Sequence, residues 1–222
     1  MHRQAIGEFL GTALMVGVGC GSVALGASHG LISLAFGAAV TVAILVFGPL
    51  SGAHINPAVS VAFWRDGQLE GRLVPVYLTA QFLGALVGSL LVSGAAPTTL
   101  SPSLTLVEGF GIEVAITMCL MASILLVVQR SNNRAVVAVW VGATVALLAF
   151  IAGPWTGASM NPARTFGPNL LNGDWASLPF YFVSTALGAW LTCEPSYRLT
   201  QQRAWPLSVS YTHLTLPTIY SV

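Results

Sequence analysis

Hydrophobic residues run along this chain in long, nearly unbroken stretches, and the polar breaks between them recur at regular distances. A helix that crosses the hydrocarbon core of a bilayer needs about 20 consecutive apolar residues. Six stretches approach that length: residues 6–25, 31–47, 73–93, 109–128, 135–151 and 178–193. Two further apolar segments, 56–64 and 161–170, are too short to cross. Each follows an approach containing a Gly-Pro pair, Gly48-Pro49 or Gly153-Pro154, which predicts that the preceding helix breaks there. The pattern therefore predicts an all-α membrane protein with six transmembrane helices and two short helices that dip in and return. The last span is expected to stop early, at Glu194-Pro195.

Composition supports the membrane and excludes several other settings. Of 222 residues only 7% are charged, against about a quarter in a soluble domain. The net charge of +1 excludes a basic nucleic-acid binder, so no nucleic-acid partner is expected. Cys20, Cys119 and Cys193 lie inside apolar runs, with neither metal-ligand nor disulfide-framework spacing. Glu8 interrupts the first apolar stretch, which argues for a retained span and not a cleaved leader. No nucleophile triad, phosphate loop or metal cluster is visible, so neither an enzyme, a cofactor nor a metal is expected.

The cations orient the bundle, because arginine is retained on the cytoplasmic side of a membrane. Arg3, Arg65, Arg72, Arg130, Arg134, Arg198 and Arg203 all fall on one side of the six-span arrangement. Both termini are thereby placed in the cytoplasm, with the chain a multi-pass protein of the cell membrane. Arg164 is the exception: it sits in the second short segment, on the other side, and needs another role.

A repeat explains the two short segments. Residues 48–58 align with 153–163 at an offset of 105 residues, and the same offset carries Glu8 onto Glu113 and Thr12 onto Thr117. The repeat halves cover about 5–66 and 109–193. With three spans in each half, the second copy is inserted upside down, and its short segment meets the first near the membrane midplane, as in inverted-repeat transporters. In Asn56-Pro57-Ala58 and Asn161-Pro162-Ala163, Asn is a favoured cap and Pro a favoured first helical residue, so both motifs predict half-helix starts. A half-helix starting in mid-membrane carries about half a positive charge at its free N–H groups. Irregular backbone at that depth is tolerated only where it lines a cavity. Gly52, Ala53, His54, Ile55, Gly157, Ser159 and Met160 are accordingly expected to turn carbonyls toward one, with the two asparagine amides at its centre. Acceptors along a wall and donors in the middle suit single-file passage of a neutral molecule and oppose cations.

These residues resemble the aquaporin, or major intrinsic protein, family over nearly all of residues 5–191. Ser51 to Val59 and Gly157 to Arg164 match its two signature boxes. The resemblance implies an aquaporin-like fold in which residues 1–207 form one channel domain, a homotetramer in the lipid bilayer, and passage of water and small uncharged solutes. It also implies an outer constriction, which the motif spacing places at Phe36, Ala149, Ala158 and Arg164. Strict water channels carry histidine at the Ala149 position, so a wider constriction that also passes glycerol-like or metalloid solutes is expected. Thr165 and the Phe180-Tyr181 pair depart from the glycerol-facilitator pattern.

Glu8 and Glu113 are carboxylates inside spans, where such groups are expensive. They are expected to brace the loops by accepting backbone N–H groups; the alternative is a secondary transporter coupled through them. His54 is expected to pack beside the cavity. Gly84, Gly88, Gly188 and Ala189 suit close helix contacts, and Trp64, Trp155, Trp175 and Tyr181 suit interfacial anchors. Residues 208–222 resemble a translated sequencing adaptor and are expected to be foreign to the domain.

Overall fold

The structure, a computed structural model, describes residues 1–92 and 95–200, with side chains as far as residue 193. The 208–222 segment lies outside the described residues. In chain order the helices are α1 (His2–Ala24), α2 (His29–Ser51), α3 (Pro57–Arg65), α4 (Val74–Leu90, entered through a 3-10 turn at Gly71–Leu73), α5 (Leu106–Arg130), α6 (Arg134–Thr156), α7 (Pro162–Leu171) and α8 (Leu178–Thr200). Among the described residues there is no strand. α1, α2, the Gly71–Leu90 unit, α5 and α6 are long and apolar enough to cross a membrane, and the Leu178–Cys193 part of α8 is apolar and shorter. A 23-residue helix is roughly 35 Å long, which exceeds the hydrocarbon thickness of about 30 Å. The lipid-facing sides carry bare apolar side chains such as Leu34, Leu83, Val139 and Leu147, too many for a water-facing surface.

The Gly-Pro pairs do not break their helices. Pro49 and Pro154 lie inside α2 and α6, which continue to Ser51 and Thr156. Proline removes one N–H, and for Pro154 the carbonyl left without its helical donor is that of Phe150; His29 Nε2 lies 2.8 Å from it. What stops each helix is the next glycine, Gly52 at φ 86° and Gly157 at φ 73°, a left-handed turn that residues with a Cβ rarely make. Nor does α8 end at Glu194-Pro195; it runs to Thr200.

Helix contacts are set by small residues, since packing and not apolar burial drives association in lipid. α2 and α6 cross at Gly37 and Gly142: a Cβ on either would come within 2.5 Å of the other's carbonyl oxygen. Gly84 and Gly88 of α4 lie against the Phe9 and Ala13 carbonyls of α1, and Gly188 of α8 against the Val114 carbonyl of α5. Ala189 is fully buried. Trp64, Trp155 and Trp175 are exposed, but Tyr181 is not an interfacial anchor. It is buried, and its hydroxyl donates to the Thr156 carbonyl at 2.8 Å, at the end of α6. Tyr77 does the same for Ser51 at the end of α2, at 2.6 Å. Each tyrosine takes a carbonyl that the helix end leaves without a partner.

Candidate functional site: two re-entrant loops around one cavity

Between α2 and α3, and again between α6 and α7, the chain leaves its helix, enters the interior over five irregular residues and starts a half-helix. The backbone alternates in hand. Gly52, Ala53 and Ile55 have positive φ, as do Gly157, Ala158 and Met160, and four of these six carry a Cβ. Left-handed alanine, isoleucine and methionine are strained and persist only where the surroundings hold them. Glu8 and Glu113 supply that hold. Glu8 accepts the N–H groups of His54 at 2.9 Å and Ile55 at 2.6 Å, and the Gln81 amide at 2.7 Å. Glu113 accepts Ser159 N–H at 2.8 Å, Met160 N–H at 3.0 Å and the Thr156 hydroxyl at 2.6 Å. Both carboxylates are fully buried, so hydrogen bonds to protein replace all their contacts with water.

Each loop ends at an asparagine that caps the half-helix. Asn56 Oδ1 accepts Ala58 N–H at 2.9 Å; Asn161 Oδ1 accepts Ala163 N–H at 2.9 Å and Arg164 N–H at 3.3 Å. The two amides then cross over. Asn56 Nδ2 donates to the Met160 carbonyl and Asn161 Nδ2 to the Ile55 carbonyl, both at 2.8 Å. One hydrogen of each amide is thus fixed to the opposite loop; Asn161 Nδ2 also donates to Met15 Sδ at 3.7 Å, and both asparagines line the cavity. Pro57, Ala58, Pro162 and Ala163 are buried as the first turns of α3 and α7, with both half-helix N-termini directed at the same centre.

The cavity has a volume of about 390 Å³ and is bordered by α1, α2, α5 and α6 as well as by both loops. His54, Ile55, Gly157, Ser159 and Met160 line it; Gly52 and Ala53 do not, because Ala53 is buried with its N–H on Ser51 Oγ at 3.0 Å and Gly52 forms the turn at the end of α2. His54 is held by Ser60 Oγ, 3.2 Å from Nδ1, and by the rings of Phe63 and Tyr77. Phe36, Ala149, Ala158 and Arg164, three helices and a loop apart in sequence, all border this one space. The Arg164 guanidinium lies 4.8 Å from the Phe36 ring centre, a cation–π contact, while the two alanines leave the remaining wall without bulk. Arg164 is only 8% exposed, so it is not snorkelling toward a membrane surface. The Phe180-Tyr181 pair is not part of the lining.

The sequence profile of the major intrinsic proteins matches residues 1–193. The chain belongs to that family. It is 39% identical over 203 residues to aquaporin NIP1-1 of Zea mays, covering 84% of this chain and 71% of that one. Against a glycerol uptake facilitator protein of Pseudomonas aeruginosa it is 36% identical over 218 residues, covering 81% and 78%. Among solved structures, the aquaglyceroporin of Plasmodium falciparum superimposes with a TM-score of 0.80 at 28% identity, covering 93% of this chain and 98% of that one.

Two residues that border the site in this major intrinsic protein carry no signal in the sequence. Gly19 on α1 has no side chain because the Phe36 ring fills that space: a Cβ there would lie 2.2 Å from the ring. Thr98, in the connection between α4 and α5, is 1% exposed and accepts from Arg164 Nη1 through its hydroxyl. Thr98 sits in a Pro-Thr-Thr-Leu-Ser-Pro stretch that looks like any loop, and the helix spacing that finds Phe36 has no counterpart there.

Proposed function

We propose that this chain is a passive channel for water and small uncharged solutes, glycerol-sized ones included, that excludes ions and protons. One observation carries the reading: a cavity is lined by irregular backbone from both repeat halves and by Asn56 and Asn161, whose amides each donate to the opposite loop. The half-helix ends and Arg164 are positive, so a neutral molecule can exchange hydrogen bonds with the wall while a cation meets repulsion at two levels. Phe36, Ala149, Ala158 and Arg164 form the constriction, and the two alanines favour solutes wider than water. The similarity to proteins named aquaporins and to glycerol uptake facilitators supports this substrate class. The same similarity favours a channel over a catalyst. The coupled-transporter alternative gains no support, because Glu8 and Glu113 are committed to loop N–H groups. Residues 1–207 act as one channel domain, in a homotetramer of the cell membrane with both termini cytoplasmic, as the arginine distribution favours.

Stopped-flow light scattering on vesicles containing the purified protein tests the reading. Water permeability is expected to rise well above that of empty vesicles, with glycerol uptake that does not saturate and no proton current. Water flux equal to that of empty vesicles, or saturable uptake driven by a proton gradient, overturns it. Water flux with complete exclusion of glycerol removes the wide-constriction half alone.

A further inference from the structure

Arg164 reaches its position against Phe36 through a chain of contacts that begins outside the constriction. Its Nη1 donates to the Thr98 hydroxyl, and Thr98 is held in turn by Asn169 on α7. That hold uses both ends of the amide: Thr98 N–H donates to Asn169 Oδ1 at 2.7 Å, and Asn169 Nδ2 donates to the Thr98 carbonyl at 2.9 Å. The pair closes a ring like two residues of a β ladder, so Thr98 cannot slide or turn without breaking both bonds. Asn169 is itself fixed, with Nδ2 2.8 Å from Ser177 Oγ and 3.0 Å from an Asp174 carboxylate oxygen, and it is fully buried. An asparagine with every polar atom engaged and no access to solvent is a rigid part.

We propose that Asn169 is a selectivity-positioning residue: by clamping the Thr98 backbone it holds the Thr98 hydroxyl where that hydroxyl fixes the Arg164 guanidinium against Phe36. The inference rests on the constriction described under Proposed function. It adds that solute choice depends on the C-terminal end of α7 and on the α4–α5 connection, beyond the four constriction residues themselves. Without the clamp, the hydrogen bond from a charged donor to Thr98 is lost, and occupancy of the held position falls roughly tenfold. The freed guanidinium then enters the lumen, where carbonyls are available to it, and obstructs wide solutes more than water.

The test measures glycerol and water permeability in the same vesicles, so that the ratio is independent of how much protein folds. Asn169→Ala and Thr98→Val are each expected to lower the glycerol-to-water ratio several-fold, Thr98→Ser to keep it at the wild-type value, and the double variant Asn169→Ala/Thr98→Val to do no more than either alone. Asn172→Ala serves as the control. It removes a different tether of the same connection, the 2.7 Å bond to the Ala95 carbonyl, and should leave the ratio unchanged. An unchanged ratio in Asn169→Ala and Thr98→Val overturns the proposal, as does an additive double variant or an equal shift in Asn172→Ala. If Asn169→Ala does not fold, Thr98→Val against Thr98→Ser decides. Failure of the unmodified protein to conduct is a separate outcome, which removes the channel reading itself.

Discussion

In the first half of the molecule the chain leaves α2 through Gly52, hangs on Glu8 by the N–H groups of His54 and Ile55, and caps α3 with Asn56. In the second half it leaves α6 through Gly157, hangs on Glu113 by Ser159 and Met160, and caps α7 with Asn161. The left-handed residues recur at the same offset, and a tyrosine closes the end of each preceding helix. Past the asparagines the halves diverge. Where the second half has Arg164 the first has Val59, and where α7 is bound through Asn169 to the α4–α5 connection, the corresponding residue of α3 is the exposed Trp64. The shared part builds an electropositive centre from backbone, which any small neutral molecule can use. The divergent part acts on one end only, where the proposed constriction lies.

The two halves are expected to differ most at the carboxylates. Glu113→Gln should turn an amide toward the Met160 N–H and cost on the order of 3 kcal/mol of stability through unpaired buried groups. Glu8→Gln should cost less, because Gln81 Oε1 has no hydrogen-bond partner and can rotate to accept the new amide. Thermal unfolding in detergent measures both, and equal losses would remove the asymmetry. Arg164→Ala should raise the glycerol-to-water permeability ratio roughly tenfold, the change that about 1.4 kcal/mol of barrier makes. Val59→Ala should leave that ratio alone, and the opposite ranking would move discrimination to the first half. At the crossing that the halves share, Gly142→Ala and Gly37→Ala should each cost about 1–3 kcal/mol by forcing backbones apart. The smallest effect is expected for Tyr77→Phe and Tyr181→Phe, about 1 kcal/mol for one hydrogen bond, alike in both halves; unfolding midpoints that differ clearly between them would show that the helix ends are not equivalent.

Much of this was available from residue order alone. The six spans follow from apolar run length, and the half-helices from Asn-Pro-Ala capping chemistry, which acts within a few residues. The inverted pairing follows from a gap-free repeat with an odd number of spans. Both helices continue past their Gly-Pro pairs, and at Pro154 a side chain distant in sequence, His29, lies against the freed carbonyl, which a local pattern does not show. Tyr181 misled because an aromatic near a span end has the same sequence signature whether it meets lipid headgroups or a buried helix terminus.

What residue order determined is the covalent and periodic part: how many helices, which way the two halves face, which asparagines cap, and that one arginine lies apart from the others. Tertiary structure alone decided what that arginine touches. Thr98 and Asn169 are 66 and 71 residues from the groups they hold, on segments with no helical period to align them. Such contacts exist only once the packed helices have brought the α4–α5 connection against the cavity. A local pattern can state that a cation is present, but its orientation is a property of the neighbours that folding supplies.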